Sequence, residues 1–176
     1  MGKSKMHLNK IREARDSHQE LVDLPVPVEE MCERFERLFS GAVSDALRER
    51  ILFNQVLPHD ILPLERDMVL AGTAFTMKSV KASHTEGEME FRGRLLQEVS
   101  ENDVCIWYTG GDETSAHWGE IMTLTSRSRG ARGAVVDGGL RDTKQVLQHN
   151  FPFSPYSQWL AGSLPSGGIS ETDCNW

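Results

Sequence analysis

The sequence predicts an α/β domain, and three observations predict it. Apolar residues recur at helical spacing from Val28 through Met31, Cys32, Phe35, Leu38 and Phe39. Residues 69–80 instead alternate, with Thr73, Phe75, Met77 and Ser79 offset from Ala74, Thr76, Lys78 and Val80, the pattern of a strand with two unlike faces. Further on, helical and strand-like segments follow one another in turn, as in a sheet covered by helices. A chain of 176 residues can bury roughly 70% of its unfolded surface, enough for one core but not two.

Taken in order, residues 1–27 are polar and read as a helical arm or a frayed extension, closed by Pro25 and Pro27. A helix over 28–39 follows, and Ser40 is placed to cap a second one through Ala42, Val43, Ala46 and Leu47, ending near Arg48, Glu49 and Arg50. Pro58 and Pro63 interrupt the chain before the 69–80 strand, and residues 81–91 are charged without clear pattern. Leu95, Leu96 and Val99 form one helical face ahead of a strand at 104–108. After Gly110-Gly111, Ser115 or Ala116 opens a helix running to about Arg129, then Gly130 and Gly133 lead into a short buried strand at 134–136. Residues 137–142 read as a polar loop and Lys144 begins another helix. From Phe151 the chain carries three prolines with repeated Gly and Ser, so no further core element is expected. The domain is accordingly bounded at 28–156, with a divergent irregular tail at 157–176.

Composition excludes several function classes. Nineteen Lys and Arg against 26 Asp and Glu give a net charge of −7, which disfavours a general nucleic-acid groove but leaves a small acidic substrate open. Three well-separated cysteines argue against a disulfide framework or a clustered zinc site, and fit a reducing compartment. The charged first twenty residues lack the apolar core of a signal peptide, and no apolar run is long enough for a membrane span, so the cytoplasm is the expected location. Phosphate-cradling glycine motifs and a Gly-x-Ser-x-Gly elbow are missing, leaving nucleotide binding and nucleophilic hydrolysis without support.

Chemistry concentrates between Gly110 and Asp142. A helix over 119–129 travels about 15 Å, and the strand return to Asp137 covers about 16 Å, so the two displacements cancel. Glu120 then shares an edge with Arg141 and Asp142. At the helix start the amides of Glu120, Ile121 and Met122 lack intrahelical acceptors and form an anion seat, to which Arg141 adds a fork suited to a carboxylate. Asp142 offers a hard oxygen for Mg²⁺ or Mn²⁺, with water completing the octahedron. Such a set suits a 2-oxo acid whose ketone is chelated while a carbon–carbon bond breaks. Each residue also has an ordinary reading: Gly138-Gly139 as a turn, Arg141 and Asp142 as a solvated pair, Glu120 as a favourable first-turn acid, and His117 beside Trp118 as packing or surface. Asp112 and Glu113 could cap the helix, and Arg127, Arg129 and Arg132 suit its carboxyl-terminal end.

The segments LFSGAVSDALRE, LPLERDMVLAGTAFTMKSV and HWGEIMTLTSRSRGARGAVVDGGLRDTKQV resemble the RraA-like family of pyruvate aldolases and regulators of ribonuclease activity A, over about residues 35–155. That resemblance implies a swivelling β/β/α domain, a homotrimer or homohexamer with clefts between subunits, and a lyase cleaving 4-hydroxy-2-oxo acids or diacids to pyruvate and a second carbonyl product, with oxaloacetate decarboxylation as a side reaction. By matching positions, Arg141 resembles the arginine on pyruvate's oxygens, Asp142 the metal aspartate, Glu120 the acid near the metal's water, and the Ile121 and Met122 amides the carboxylate seat. Gln145 stands where aldolase members carry an acid, and the tail diverges where they supply a late acidic residue to a neighbour. Two further readings therefore accompany the lyase: a non-catalytic protein-binding regulator, and an inactive, shortened homologue.

Overall fold

A computed structural model of the chain describes residues 24–79, 87–112 and 114–157, without the side chains of residues 156 and 157. The polar arm at 1–23, the tail beyond 157, the segment 80–86 and Glu113, a candidate helix cap, lie outside the described residues. In chain order the elements are α1 (Val28–Glu36), α2 (Ser40–Glu49), β1 (Thr73–Lys78), α3 (Glu88–Gln97), β2 (Asp103–Tyr108), β3 (Ala116–Trp118), α4 (Glu120–Ser128), β4 (Gly133–Leu140), α5 (Thr143–Gln148) and β5 (Phe153–Ser157).

Five parallel strands make one sheet in the order β1-β2-β4-β3, with β5 also paired to β4. Strands buried on both faces need apolar residues throughout rather than alternation. β4 meets that demand with Ala134, Val135 and Val136, and β2 with Val104, Cys105 and Trp107. Phe91, Leu95, Leu96 and Val99 of α3 and its exit join the same core. At the centre Trp118 lies stacked 6.4 Å from Phe151, 5.7 Å from Phe153 and edge-on 6.3 Å from Trp107. Cys105 is sealed among them, and burial pushes its thiol up to about 12.

Four expectations are corrected. Residues 116–118 form β3 rather than the start of a helix, because their backbone pairs with Gly139 and Leu140. The expected polar loop at 137–142 is mostly the end of β4, which runs to Leu140; Gly138 is buried there with His117 and Thr109 filling the space a side chain would need. β5 completes the sheet in the segment thought unable to: Pro155 lies opposite Val136, and the Pro152 carbonyl accepts the Ala134 amide at 3.0 Å. Ser40 is the first helical residue of α2 and makes no capping bond; Phe39 holds the cap position.

The early helices are attached differently. α1 buries only Cys32 and α2 buries nothing among the described residues. Arg132 ties α1 down through Glu36 Oε1, 2.8 Å from Nη2, while the Leu64 amide donates to the Phe153 carbonyl at 3.0 Å.

Candidate functional site

The expected shared edge forms, and β3 explains how. The Arg141 amide donates to the Trp118 carbonyl at 3.0 Å, so the exits of β3 and β4 are locked side by side. β3 passes through Gly119 directly into α4, and β4 through Arg141 and Asp142 into α5. A Cβ at Gly119 would stand 2.8 Å from Asp142 Oδ2 and 3.0 Å from Arg141 Cγ, so a side chain there would displace the Asp142 and Arg141 side chains from their present positions. Asp142 turns the corner in the left-handed region, φ 58° and ψ 32°, which aspartate tolerates better than most residues, and its carbonyl receives the Val146 amide at 2.9 Å.

Glu120, Arg141 and Asp142 are thus brought together, with one change in roles. The Glu120 amide donates to Asp142 Oδ2 at 3.4 Å, so one of the three amides of the proposed anion seat already faces a carboxylate. Arg141 Nε lies 3.6 Å from the same oxygen, both side chains about two-fifths exposed. The Glu120 carboxylate turns elsewhere: Oε1 sits 3.0 Å from Nε2 of His149, beyond the far end of α5. Ile121 projects into solvent, whereas Met122 is buried with its sulfur 3.9 Å from Arg92 Nη1.

Behind the edge lies a buried layer that the sequence analysis did not single out. Arg92 and Glu88 on α3 form a buried ion pair, Nη2 to Oε1 at 2.7 Å. Nη1 of Arg92 also donates to the His117 carbonyl at 2.9 Å, and its guanidinium lies 5.1 Å from the centre of the Trp107 ring. Burial lowers the Arg92 pKa while Glu88 opposes the shift, and Arg141 is near enough to add to the lowering. The signal for this pair was an acid four residues before an arginine, the spacing of a helical ion pair. His117 is buried, its Nε2 3.5 Å from Asp112 Oδ2, and its Nδ1 meets no hydrogen-bond partner among the described residues. Asp112 caps no helix; it accepts the Thr114 amide at 2.9 Å and the Ser115 hydroxyl at 2.9 Å. For His149, 29 residues from Glu120, no sequence signal existed.

As a seat for Mg²⁺ or Mn²⁺, the donor set is thin. Among the described residues no group of three or more His, Cys, Asp or Glu side chains is arranged to hold a cation. Asp142 stands as a single carboxylate already facing an amide and a guanidinium, and Glu120 is engaged by His149, so the described residues present no preassembled cluster of metal ligands. A hollow of about 430 Å³ lies at the opposite end of α4, lined by Ser100, Glu101, Arg127, Ser128, Arg129 and Gly130. The arginines there serve as ties: Arg127 reaches the His149 carbonyl at 2.9 Å and Arg129 the Val99 carbonyl at 3.2 Å. No helix among the described residues is long and apolar enough to cross a membrane.

Comparison with known proteins adds a family. The profile described as RraA-like, Aldolase/RraA, matches residues 40–174. A curated protein of Halalkalibacterium halodurans, provisionally named a 4-hydroxy-4-methyl-2-oxoglutarate aldolase, is 28% identical over 134 residues, covering 76% of this chain and 60% of its own. A crystal structure described as one of the novel cellulases from microbes associated with the gut ecosystem is 36% identical, with a TM-score of 0.74, covering 84% of this chain and 64% of that one. Streptomyces coelicolor RraAS2, described as an unusual member of the RNase ES inhibitor RraA protein family, is similar in fold alone. It is 21% identical with a TM-score of 0.63, covering 76% of this chain and 65% of that one. The chain therefore spans less than two thirds of the length of these relatives.

Proposed function

The chain belongs to the RraA-like, Aldolase/RraA family, and from that premise we propose that it is a non-catalytic, protein-binding member. One observation carries the reading: the acids that would do the chemistry are engaged within the chain, Glu120 by His149 and Asp142 by the Glu120 amide and Arg141. The binding half of the proposal has its own support. Phe35, Leu38, Phe39, Ile51, Leu52 and Phe53 all stand exposed on and after the first two helices, and large apolar side chains exposed together commonly mark interaction sites. The occupant we propose is other copies of the chain, in a homotrimer or homohexamer.

A second reading, a lyase cleaving 4-hydroxy-2-oxo acids, rests on the convergence of Arg141, Asp142 and the start of α4. In it Arg141 and the Ile121 and Met122 amides would fix the carboxylate of a 2-oxo acid, and Asp142 would hold Mg²⁺ or Mn²⁺. That cation would supply positive charge to the keto oxygen as electron density builds there. Glu120 would have to leave His149 before it could move a proton at this edge.

One assay separates the two. Purified full chain is incubated with oxaloacetate or a 4-hydroxy-2-oxo diacid, with Mg²⁺ or with EDTA, and pyruvate is measured against a protein-free blank. The expected result is no release above the blank, in the natural chain and in Asp142→Asn alike. Mg²⁺-dependent release that Asp142→Asn abolishes would overturn the non-catalytic reading in favour of the lyase.

A further inference from the structure

The family likeness brings a divalent cation to Asp142, and among the described residues no group of three or more donors assembles around one. We propose that His149 disarms the edge: by binding the Glu120 carboxylate, it keeps this chain from holding that cation. The inference rests on the reading above that the edge is silent, and it names the contact responsible.

The geometry is that of a side chain drawn away from its own backbone. Glu120 begins α4 with its amide 3.4 Å from Asp142 Oδ2, so its main chain lies against the metal-side corner. Its carboxylate, however, ends 3.0 Å from His149 Nε2. His149 follows the six-residue α5, which starts at that same corner, and a helix of this length carries the chain about 9 Å from it. The imidazole is well placed to hold on. Its backbone amide donates to Val146 at 3.2 Å and its carbonyl accepts Arg127 Nη1 at 2.9 Å, so the residue is anchored from two sides.

Asp142, left alone, offers one carboxylate beside a guanidinium that competes with any cation. Sites for Mg²⁺ or Mn²⁺ commonly use one or two carboxylates with water for the remainder. A Glu120 side chain released from His149 can change rotamer toward the corner where its own amide lies. The second carboxylate would then offset Arg141, and the like charge it places near Asp142 would itself favour a cation between them. The Glu120–His149 hydrogen bond is only part-buried, so its hold is modest.

The test is a Mn²⁺ titration of the full chain, reading free Mn²⁺ by its electron paramagnetic resonance signal, in the natural chain, His149→Phe, Glu120→Gln and the double variant. His149→Phe keeps a ring but removes the nitrogen. It is expected to tighten Mn²⁺ binding by up to about fivefold, the range of a net hydrogen bond, and the double variant to lose the gain. Unchanged affinity in His149→Phe, or a gain that survives in the double variant, overturns the proposal; so does an absence of Mn²⁺ binding in every variant. If His149→Phe does not fold, His149→Ala reads the same contact. Failure of the silent-edge reading shows separately, as Mg²⁺-dependent pyruvate release by the natural chain, whatever the titration gives.

Discussion

Around β4 the apolar side chains turn inward on one another, while across residues 35–69 side chains of the same kinds turn out. Trp118, Phe151 and Phe153 are almost wholly buried, whereas Phe39 is 75% exposed, Ile51 75% and Val56 77%. Both stretches satisfy a hydrophobic pattern, so the pattern alone does not say what it packs against. The difference lies in partners. Parallel pairing with β2 and β5, together with the helices behind, gives each β4 side chain neighbours on all sides. The α1 helix is tied down through buried Cys32 and the Arg132–Glu36 bond, and the chain after α2 through the Leu64 backbone, while Phe35, Leu38, Phe39, Ile51, Leu52 and Phe53 stay exposed.

Three measurements sharpen that contrast. The largest effect belongs to Trp118→Ala, which empties the point where Trp107, Phe151 and Phe153 meet. It is expected to cost about 3–5 kcal/mol in urea unfolding, and a loss below about 1 kcal/mol would mean that this centre is not the core. An intermediate effect comes from pH. Burial first, then Arg92, hold His117 below its ordinary pKa, against the pull of Asp112. The unfolded chain therefore takes up that proton first as pH falls below about 6.5. Stability contributed by neutral His117 is fully present above that value and declines below it, by at most about 1.4 kcal/mol per pH unit. Asp112 titrates in a lower window: burial raises its pKa, but hydrogen bonds from Thr114 and Ser115 outweigh this and hold it under 3.8. Unfolding at pH 7.5 and 5.0 should thus show a decline that His117→Gln reduces, and an equal decline in both proteins would refute the assignment. The smallest effect on folding is expected from Phe39→Ser in the outward-facing stretch, within about 0.5 kcal/mol. Sedimentation should nevertheless show weaker self-association. A stability loss comparable to Trp118→Ala would show that residue 39 packs inward.

What was legible in the sequence follows the same division. The β1 alternation, the amphipathic α1 and the return of Glu120 to Arg141 and Asp142 could be read because each depends on local periodicity or on lengths along the chain. β3 could not: three residues hold a strand only because Gly139 and Leu140 lie alongside. β5 was hidden by Pro152 and Pro155, which read as breakers, though the carbonyl of Pro152 serves the ladder well. The glycines at 138 and 139 suggested a turn, yet the space at Gly138 is taken by His117 and Thr109. At the candidate site, the residues were visible and their orientations were not. Nothing local distinguishes a glutamate facing Asp142 from one held by a histidine 29 residues away.

The unusual backbone at Asp142 bears on how its carboxylate can be interrogated. With φ at 58°, the residue occupies a conformation most L-residues adopt only at a cost. Alanine there would remove a charge and tax the bend in one stroke, confounding electrostatics with chain direction. Asparagine shares aspartate's tolerance for that conformation and nearly its outline, so it changes the ionic character while sparing the hinge on which Arg141 and α5 are aimed.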